Sequence, residues 1–470
     1  MKYKYFLKNL SILTISNFVG KILLFLMLPL YTNILTSDEY GIIDLITTTT
    51  QLAIPIFTLC ITEAILRYSI DSSNSKKQVL EISLKVFTKG YMILLPISII
   101  SHFILKINII YILIFNIYYI VSSLSSIFTF YFKGLERIKI IGVASVIKVI
   151  VLVSLNCLML LYFKTGIIGY YFSLIMSELI NIIILLIDMK LKPLKLEKNN
   201  EEKQLQSEMI DYSKHFVLNS ISWWINNASD KYILLLFFNA SVTGIYSVSY
   251  KIPTIIEFVQ NIFAQAWQIS AIKEYNDTGA KRFFSNMYNC YNLVLVFTVC
   301  FLLIFLKLLA KILFAKEFYI AWMYVPFLLI AILFGALSGF LGSIYAANKD
   351  SKMYARSTLV GAIANIILNF ALIPKFGSQG AAIATLISYI LIWVLRLVFM
   401  KKYIVLDIDY FKNLLTYFIL IIMSICLITM STINSLVACV MGFAFILIVN
   451  VSYLKSTFIF VKKGLFKWKK

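Results

Sequence analysis

Residues 17–31 read NFVGKILLFLMLPLY, a run with a single charge, Lys21, at its centre. With its flanks, from about Asn9 to Leu35, the stretch exceeds the length of about 20 residues that a helix needs to cross a hydrocarbon core. It is too long for a signal-peptide core and has no small-residue cleavage site, so it reads as a helix of the mature chain. A backbone in lipid must satisfy its own hydrogen bonds, which makes long apolar runs helices rather than strands.

The rest of the chain repeats that pattern. Its 470 residues are 61% hydrophobic and 14% charged, with a mean hydropathy of +0.88. Soluble domains carry about 25% charged residues. The fold class is therefore all-α, a polytopic membrane protein. Lysine outnumbers arginine, and Ile, Asn, Tyr and Phe abound, which points to an AT-rich bacterial genome.

Polar and turn-forming breaks divide the chain into fourteen expected spans, near 9–32, 39–66, 82–105, 108–131, 140–162, 167–189, 215–238, 243–270, 286–309, 317–347, 356–374, 379–400, 412–430 and 434–454. With the N-terminus inside, the cytoplasmic segments hold 29 of the 43 Lys and Arg and the external loops 6, the bias expected of this orientation. Both termini then face the cytoplasm. The net charge of +21 reads as cytoplasmic anchors facing anionic lipid, with no nucleic-acid partner. The polar stretch 190–215 looks like a linker between spans six and seven.

That linker halves the first twelve spans. TGIIGYYFSLIMS (165–177) and FGSQGAAIATLIS (376–388) both give GxxG with a serine eight residues after the second glycine, 211 positions apart. TSDEYGIIDLI (36–46) and NASVTGIYSVS (239–249) each place a glycine, Gly41 and Gly244, at the entrance to a second helix, 203 positions apart. Six intervening helices make this a parallel repeat about an axis normal to the membrane. The expected organisation is a six-helix lobe with its cytoplasmic linker over 1–200, a second over 201–405, and two extra helices with a basic tail over 406–470.

Polar residues recur at helical spacing in several spans. One stripe runs His215, Asn219, Ser222, Asn226 and Asp230; another runs Tyr250, Pro253, Glu257, Asn261, Gln265 and Gln268. A third holds Asp44, Thr47, Gln51 and Pro55. Such faces must meet other helices or water. A charge at mid-membrane costs about 3 kcal/mol on insertion scales, so it faces a cavity or a partner. Arg67, Lys85 and Arg396 lie near cytoplasmic helix ends and are expected to snorkel. Lys148, Lys231 and Lys251 lie deeper, about 10–12 Å from the span ends at 1.5 Å per residue.

Asn17 and Lys21 share a helix face, and the simplest place for them is a cleft between the lobes. A lysine there offers a point charge to a phosphate or pyrophosphate. The candidate substrate contacts are Lys21, Asn17, Lys148, Lys231, Lys251 and Asn226; the candidate ion-coupling or cavity carboxylates are Asp230, Glu257, Glu178 and Asp44. The alternative is that Lys21 pairs with Glu178 or Glu257 and holds the bundle together.

No enzyme signature is present: there is no phosphate-binding glycine loop with a lysine, no dinucleotide motif and no nucleophile elbow. Six cysteines and two histidines, scattered through apolar segments, give neither a disulfide framework nor a metal site, and no cofactor is expected. Transport would draw on an ion gradient, H⁺ or Na⁺, or on the membrane potential.

LPLYTNILTSDEYGIIDLI (28–46), ITEAILRY (61–68), YFKGLERIK (131–139) and SDKYILLLFFNASVTGIYSVSYKI (229–252) carry a resemblance. The chain resembles polysaccharide biosynthesis proteins, the Wzx-type oligosaccharide flippases of the multidrug/oligosaccharidyl-lipid/polysaccharide exporter superfamily. The resemblance covers about the first twelve spans. It implies two six-helix lobes, alternating access and an undecaprenyl-pyrophosphate-linked oligosaccharide substrate in the bacterial cytoplasmic membrane. It also implies possible work alongside a glycan polymerase and glycosyltransferases, and it puts Lys21 at the pyrophosphate. Fourteen spans, rather than twelve, are shared with lipid II and spore-cortex flippases. The competing readings are a drug/cation antiporter of the same superfamily, which Asp230 and Glu257 permit and Lys21 opposes, and a membrane scaffold.

Overall fold

The structure is a computed structural model that describes residues 20, 22–70, 75–189, 200–274, 280–347, 351–451 and 453. Asn17 and Lys21 lie outside the described residues, as do most of the first expected span and residues 190–199 of the expected linker.

The described elements are all helical. In chain order they are α1 (Leu28–Ile34), α2 (Ser37–Phe57), α3 (Ile61–Ile70), α4 (Lys76–Leu105), α5 (Ile109–Gly134), α6 (Ile138–Asn156, closing in a π-turn Cys157–Tyr162) and α7 (Gly166–Met189). They continue as α8 (Asn200–Phe237), α9 (Ala240–Ser249), α10 (Thr254–Glu274), α11 (Ala280–Leu313), a 3₁₀ segment (Lys316–Met323), α12 (Val325–Ala347), α13 (Ser351–Met400), α14 (Tyr410–Thr429) and α15 (Thr432–Val449). Among the described residues, ten helices are long and apolar enough to cross a membrane. This is a multi-pass membrane protein.

The chain divides into two compact units, residues 1–224 and 225–470. In the first, α3 is the buried element. Ile61, Ala64 and Ile65 are fully enclosed, and they pack in one apolar cluster with Leu80 and Ile82 of α4 and Phe132 of α5. In the second, α12 takes that place, with Leu328, Leu329, Leu333, Leu337 and Leu341 all at 0% exposure.

Two expected spans are broken rather than continuous. Span two ends as α2 at Phe57, passes through Leu59 and Cys60 in left-handed backbone (both φ 52°), and resumes as α3. The helix runs through Pro55, and its end is closed by the Cys60 N–H, which returns to the Pro55 carbonyl at 3.1 Å. Span eight breaks at Tyr250–Pro253, where the proline removes a donor and α10 starts just beyond it. Span seven differs in the other direction: its helix starts at Asn200, so the described part of the expected linker is helical and runs without interruption into the span.

The repeat is visible in local geometry. The Thr36 hydroxyl accepts from the Glu39 N–H while the Glu39 carboxylate accepts from the Thr36 N–H, a reciprocal cap on α2. At the 203-residue offset, Asn239 Oδ1 accepts from the Val242 N–H and caps α9. Five residues beyond each cap lie the buried glycines Gly41 and Gly244. At the 211-residue offset, Gly166 and Gly377 both take positive φ, 57° and 55°, and turn the chain from one span into the next. Gly377 divides α13 into arms that fold back on each other, with Asn365 Nδ2 donating to Thr385 Oγ1 across them at 3.5 Å.

Candidate functional site

Among the described residues, each unit carries a buried polar cluster that includes charged groups singled out from the sequence. In the first, Lys148 of α6 and Glu178 of α7 form an ion pair, Nζ to Oε1 2.6 Å. The side chains are 29% and 10% exposed, which places the pair under partial shelter from solvent or lipid. The second carboxylate oxygen, Oε2, is buried without a hydrogen-bond partner. One turn further along α7, Asn181 donates to Ser125 Oγ (2.8 Å) and Thr129 Oγ1 (3.3 Å) of α5. Asp44, half-buried in α2, lies beside Thr47, whose hydroxyl meets that of Tyr171 at 3.1 Å.

The cluster of the second unit is larger. Asp230 of α8 is 1% exposed. Its Oδ2 accepts from the Tyr246 hydroxyl (2.8 Å) and the Tyr250 hydroxyl (2.7 Å), both of the α9 region, and its Oδ1 accepts from the Lys231 N–H at 2.9 Å. The Lys231 ammonium stands over the Tyr250 ring, 5.5 Å from its centroid. Carboxylate and ammonium thus share one phenol. Burying a carboxylate is costly unless its oxygens are hydrogen-bonded and a cation stands nearby, and Asp230 has both.

Asparagines extend the network. Ser229 donates to Asn365 Oδ1 (2.9 Å), Asn369 Nδ2 donates to the same oxygen (2.9 Å), and Asn226 Nδ2 reaches the Thr358 carbonyl (3.4 Å). Asn369 is fully enclosed, and its own Oδ1 is buried without a hydrogen-bond partner. The Tyr389 hydroxyl donates to Asn227 Oδ1 at 2.8 Å. Glu257 is exposed in the first turn of α10, and Lys251 is half-buried in the break before it. A buried carboxylate among phenol hydroxyls can take up a proton or a small cation.

Of the predicted site residues, the structure joins Lys148 to Glu178 and Asp230 to Lys231, while Asn226 bonds to the carbonyl of Thr358, the residue whose hydroxyl Arg396 holds. Asp44, Lys251 and Glu257 lie at the margins of these clusters or in a separate stretch. Glu178 is engaged by Lys148. One expectation is corrected: Arg396 does not snorkel. It is fully buried, and its guanidinium donates to the Ser338 carbonyl (2.7 Å), Ser357 Oγ (3.0 Å) and Thr358 Oγ1 (2.8 Å) while lying over the Tyr354 ring at 4.2 Å. Those partners belong to α12 and the first arm of α13, and they hold the head group inside the unit instead of letting it climb to the interface.

Tyr246, Asn365, Asn369 and Thr385 escape the sequence-based reading. The available signal was the pair Asn365 and Asn369, four apart in an otherwise apolar span.

A family model described as polysaccharide biosynthesis protein matches residues 6–268. The chain belongs to that family. The chain is 26% identical over 207 residues to the Probable low-salt glycan biosynthesis flippase Agl15 of Haloferax volcanii. The aligned part is 43% of each protein, so the chain matches less than half the length of that curated relative. Its fold is that of solved transporters. The structure of the Lipid II flippase MurJ in an inward closed conformation superposes with a TM-score of 0.66 at 16% identity, covering 94% of this chain and 98% of that one. An inward-facing multidrug resistance MATE family transporter of the MOP superfamily gives 0.66 at 11% identity over 84% and 98%. A MOP superfamily transporter from Pyrococcus furiosus gives 0.56 at 10% over 84% and 93%.

Proposed function

We propose that this protein is a flippase that carries an undecaprenyl-pyrophosphate-linked oligosaccharide across the bacterial cytoplasmic membrane by alternating access, for surface polysaccharide biosynthesis, with both termini in the cytoplasm. The observation that carries the reading is the pair of charged clusters, Lys148 with Glu178 between two helices apolar and long enough to cross a membrane, and Asp230 with Lys231 buried in α8. Charges at that depth are expensive to insert and are kept where a transported ion or head group must be met. The family match and the printed function of the Haloferax volcanii relative support a lipid-linked glycan as cargo.

In this reading Lys21 meets the pyrophosphate, and the Asp230 cluster takes up the coupling ion, H⁺ or Na⁺. The glycan polymerase and glycosyltransferases of the same assembly are its working partners. Complementation of surface glycan export in a flippase-deficient bacterium tests it, comparing wild type with Lys21→Gln, Lys21→Arg and Asp230→Asn at matched membrane levels. Wild type and Lys21→Arg should restore export, and the other two should not. Restoration by all four would overturn the assigned roles.

The MATE likeness favours a second reading, an ion-coupled drug/cation antiporter built on the same acidic cluster. Robust efflux of cationic dyes from cells expressing the protein, absent in Asp230→Asn, would select it over the flippase.

A further inference from the structure

Leu59 and Cys60, between α2 and α3, both have φ 52°, and they are the only adjacent pair of non-glycine residues with positive φ among the described residues. L-amino acids enter that region as single residues, because Cβ crowds the following carbonyl oxygen. Two in succession are strained backbone, and the surrounding structure must hold them there.

Their hydrogen bonds show what is being held. In an unbroken α-helix the N–H groups of Leu59, Cys60 and Ile61 would bond to the carbonyls of Pro55, Ile56 and Phe57. Here the Leu59 N–H bonds to the Ile56 carbonyl (3.4 Å), the Cys60 N–H to that of Pro55 (3.1 Å) and the Ile61 N–H to that of Thr58 (3.1 Å). Every donor has an acceptor one residue away from the helical one. Joining the two helices therefore exchanges acceptors and leaves none of these donors unpaired. Proline does not stand in the way, since α2 already runs through Pro55. The corresponding break in span eight differs, because Pro253 lies inside it and has no N–H to give.

Contacts within the first unit keep the break in span two. The Phe57 carbonyl points at Gly90 of α4, where a Cβ would overlap it. Cys60 Sγ meets Ser220 Oγ of α8 at 3.6 Å, and Trp224 Nε1 of the same helix donates to the Thr48 carbonyl of α2 at 2.8 Å. In a continuous helix the Phe57 carbonyl would turn to the Ile61 N–H, away from α4.

We infer that the break in span two is a two-state joint. Leu59 and Cys60 pass from left-handed to right-handed backbone, and α2 and α3 become one helix, so that the first unit changes shape without losing backbone hydrogen bonds. Gly90, Ser220 and Trp224 set the balance toward the broken form. The joint is independent of which cargo the protein moves.

Double electron–electron resonance on the full chain in lipid nanodiscs tests it. Ketone-directed spin labels on p-acetylphenylalanine at positions 51 and 67 leave the native cysteines untouched, and both positions are exposed. A continuous helix separates them by about 24 Å at 1.5 Å per residue. The bent path of the broken form separates them by less, and wild type should show that shorter separation. Gly90→Ala puts a Cβ where the Phe57 carbonyl lies and should move the separation to about 24 Å. Adding Leu59→Gly and Cys60→Gly, which suit left-handed backbone and weaken a helix, should restore the shorter one. Ser220→Ala with Trp224→Phe leaves Gly90 in place and should give the same lengthening, which keeps the test decisive if Gly90→Ala does not elute as a folded monodisperse species. An unchanged separation in both variants, or a lengthening that the two glycines do not reverse, would overturn the inference.

Discussion

The Lys148 ammonium lies 2.6 Å from Glu178 Oε1, while Oε2 of the same carboxylate is buried with no partner. Each charge is therefore kept tolerable chiefly by the other. Removing one leaves an uncompensated charge in a largely apolar unit, a loss of about 3–5 kcal/mol for a fully buried pair. With Lys148 at 29% exposure the effect should be smaller, about 2 kcal/mol. Thermal unfolding in detergent should show Lys148→Gln below wild type, and the double variant Lys148→Gln with Glu178→Gln should recover most of the loss. A double variant no better than the single one would show that the pair is not mutually stabilising.

Asp230 is held by two phenols whose hydroxyls converge on one oxygen. Hydrogen bonds to a charged acceptor are worth about 1.5–3 kcal/mol each. Tyr246→Phe should be the more damaging change, because Tyr246 is fully buried and its lost donor cannot be replaced by water, whereas Tyr250 is half-buried. The two substitutions together should cost less than their sum, since both act on Oδ2. Unfolding midpoints of the two single variants and the double variant check this.

Arg396 ties Ser338 of α12 to Ser357 and Thr358 of α13 without an acidic partner among its hydrogen bonds. Arg396→Lys keeps the charge but loses the planar fork, so it cannot serve all three acceptors. The expected loss is about 3 kcal/mol, read as a fall in membrane level and unfolding temperature. Gly342→Ala should reproduce part of that loss, because a Cβ there would lie 2.4 Å from the Tyr354 ring and 3.1 Å from the Arg396 guanidinium. Wild-type stability in Arg396→Lys would remove the guanidinium's structural role.

Gly166 and Gly377 take positive φ at equivalent places in the two repeats, and Gly377, with ψ −137°, lies in a region that residues with a Cβ rarely enter. Holding another residue in such sparsely populated backbone costs about 1–3 kcal/mol. At Gly377 a Cβ meets nothing closer than the Phe238 ring at 3.8 Å, so backbone strain is the whole effect. At Gly166 it would also press on the Glu39 carboxylate, 2.4 Å away, which caps α2. Both alanine substitutions should lower the unfolding temperature in detergent, Gly377→Ala through backbone strain alone and Gly166→Ala through strain and the disturbed cap together; wild-type stability in either would show that the turn adapts to a Cβ.

Much of this architecture is legible along the chain. Lipid imposes one rule, that every backbone group bond within its own segment, and that rule turns Lys76–Leu105 or Ala280–Leu313 into helices from hydropathy alone. The repeat was also readable, because a turn of positive φ needs glycine and a helix start needs a cap: Gly166 and Gly377, Thr36 and Asn239 sit at the offsets where the sequence shows them. Asp230, Lys231 and Asn226 could be singled out since acids, amines and amides are conspicuous in apolar segments.

Spacing says which face of a helix a residue takes and how deep it lies, but not what stands across from it. So the tertiary structure alone decided that Glu178 meets Lys148 from the helix before it, that two tyrosines just ahead of a helix break close on Asp230, and that Arg396, near enough to an end to climb out, turns inward to oxygens of Ser338, Tyr354, Ser357 and Thr358. The breaks near Pro55 and Pro253 belong to the same class: a proline in an apolar run bends or ends a helix according to whether neighbouring groups re-satisfy the freed carbonyls, and those neighbours come from packing. The amino-acid sequence determined a helical membrane protein with an internal repeat and a short roster of costly polar residues; lateral contact between helices, invisible to one-dimensional periodicity, decided which of them are partners.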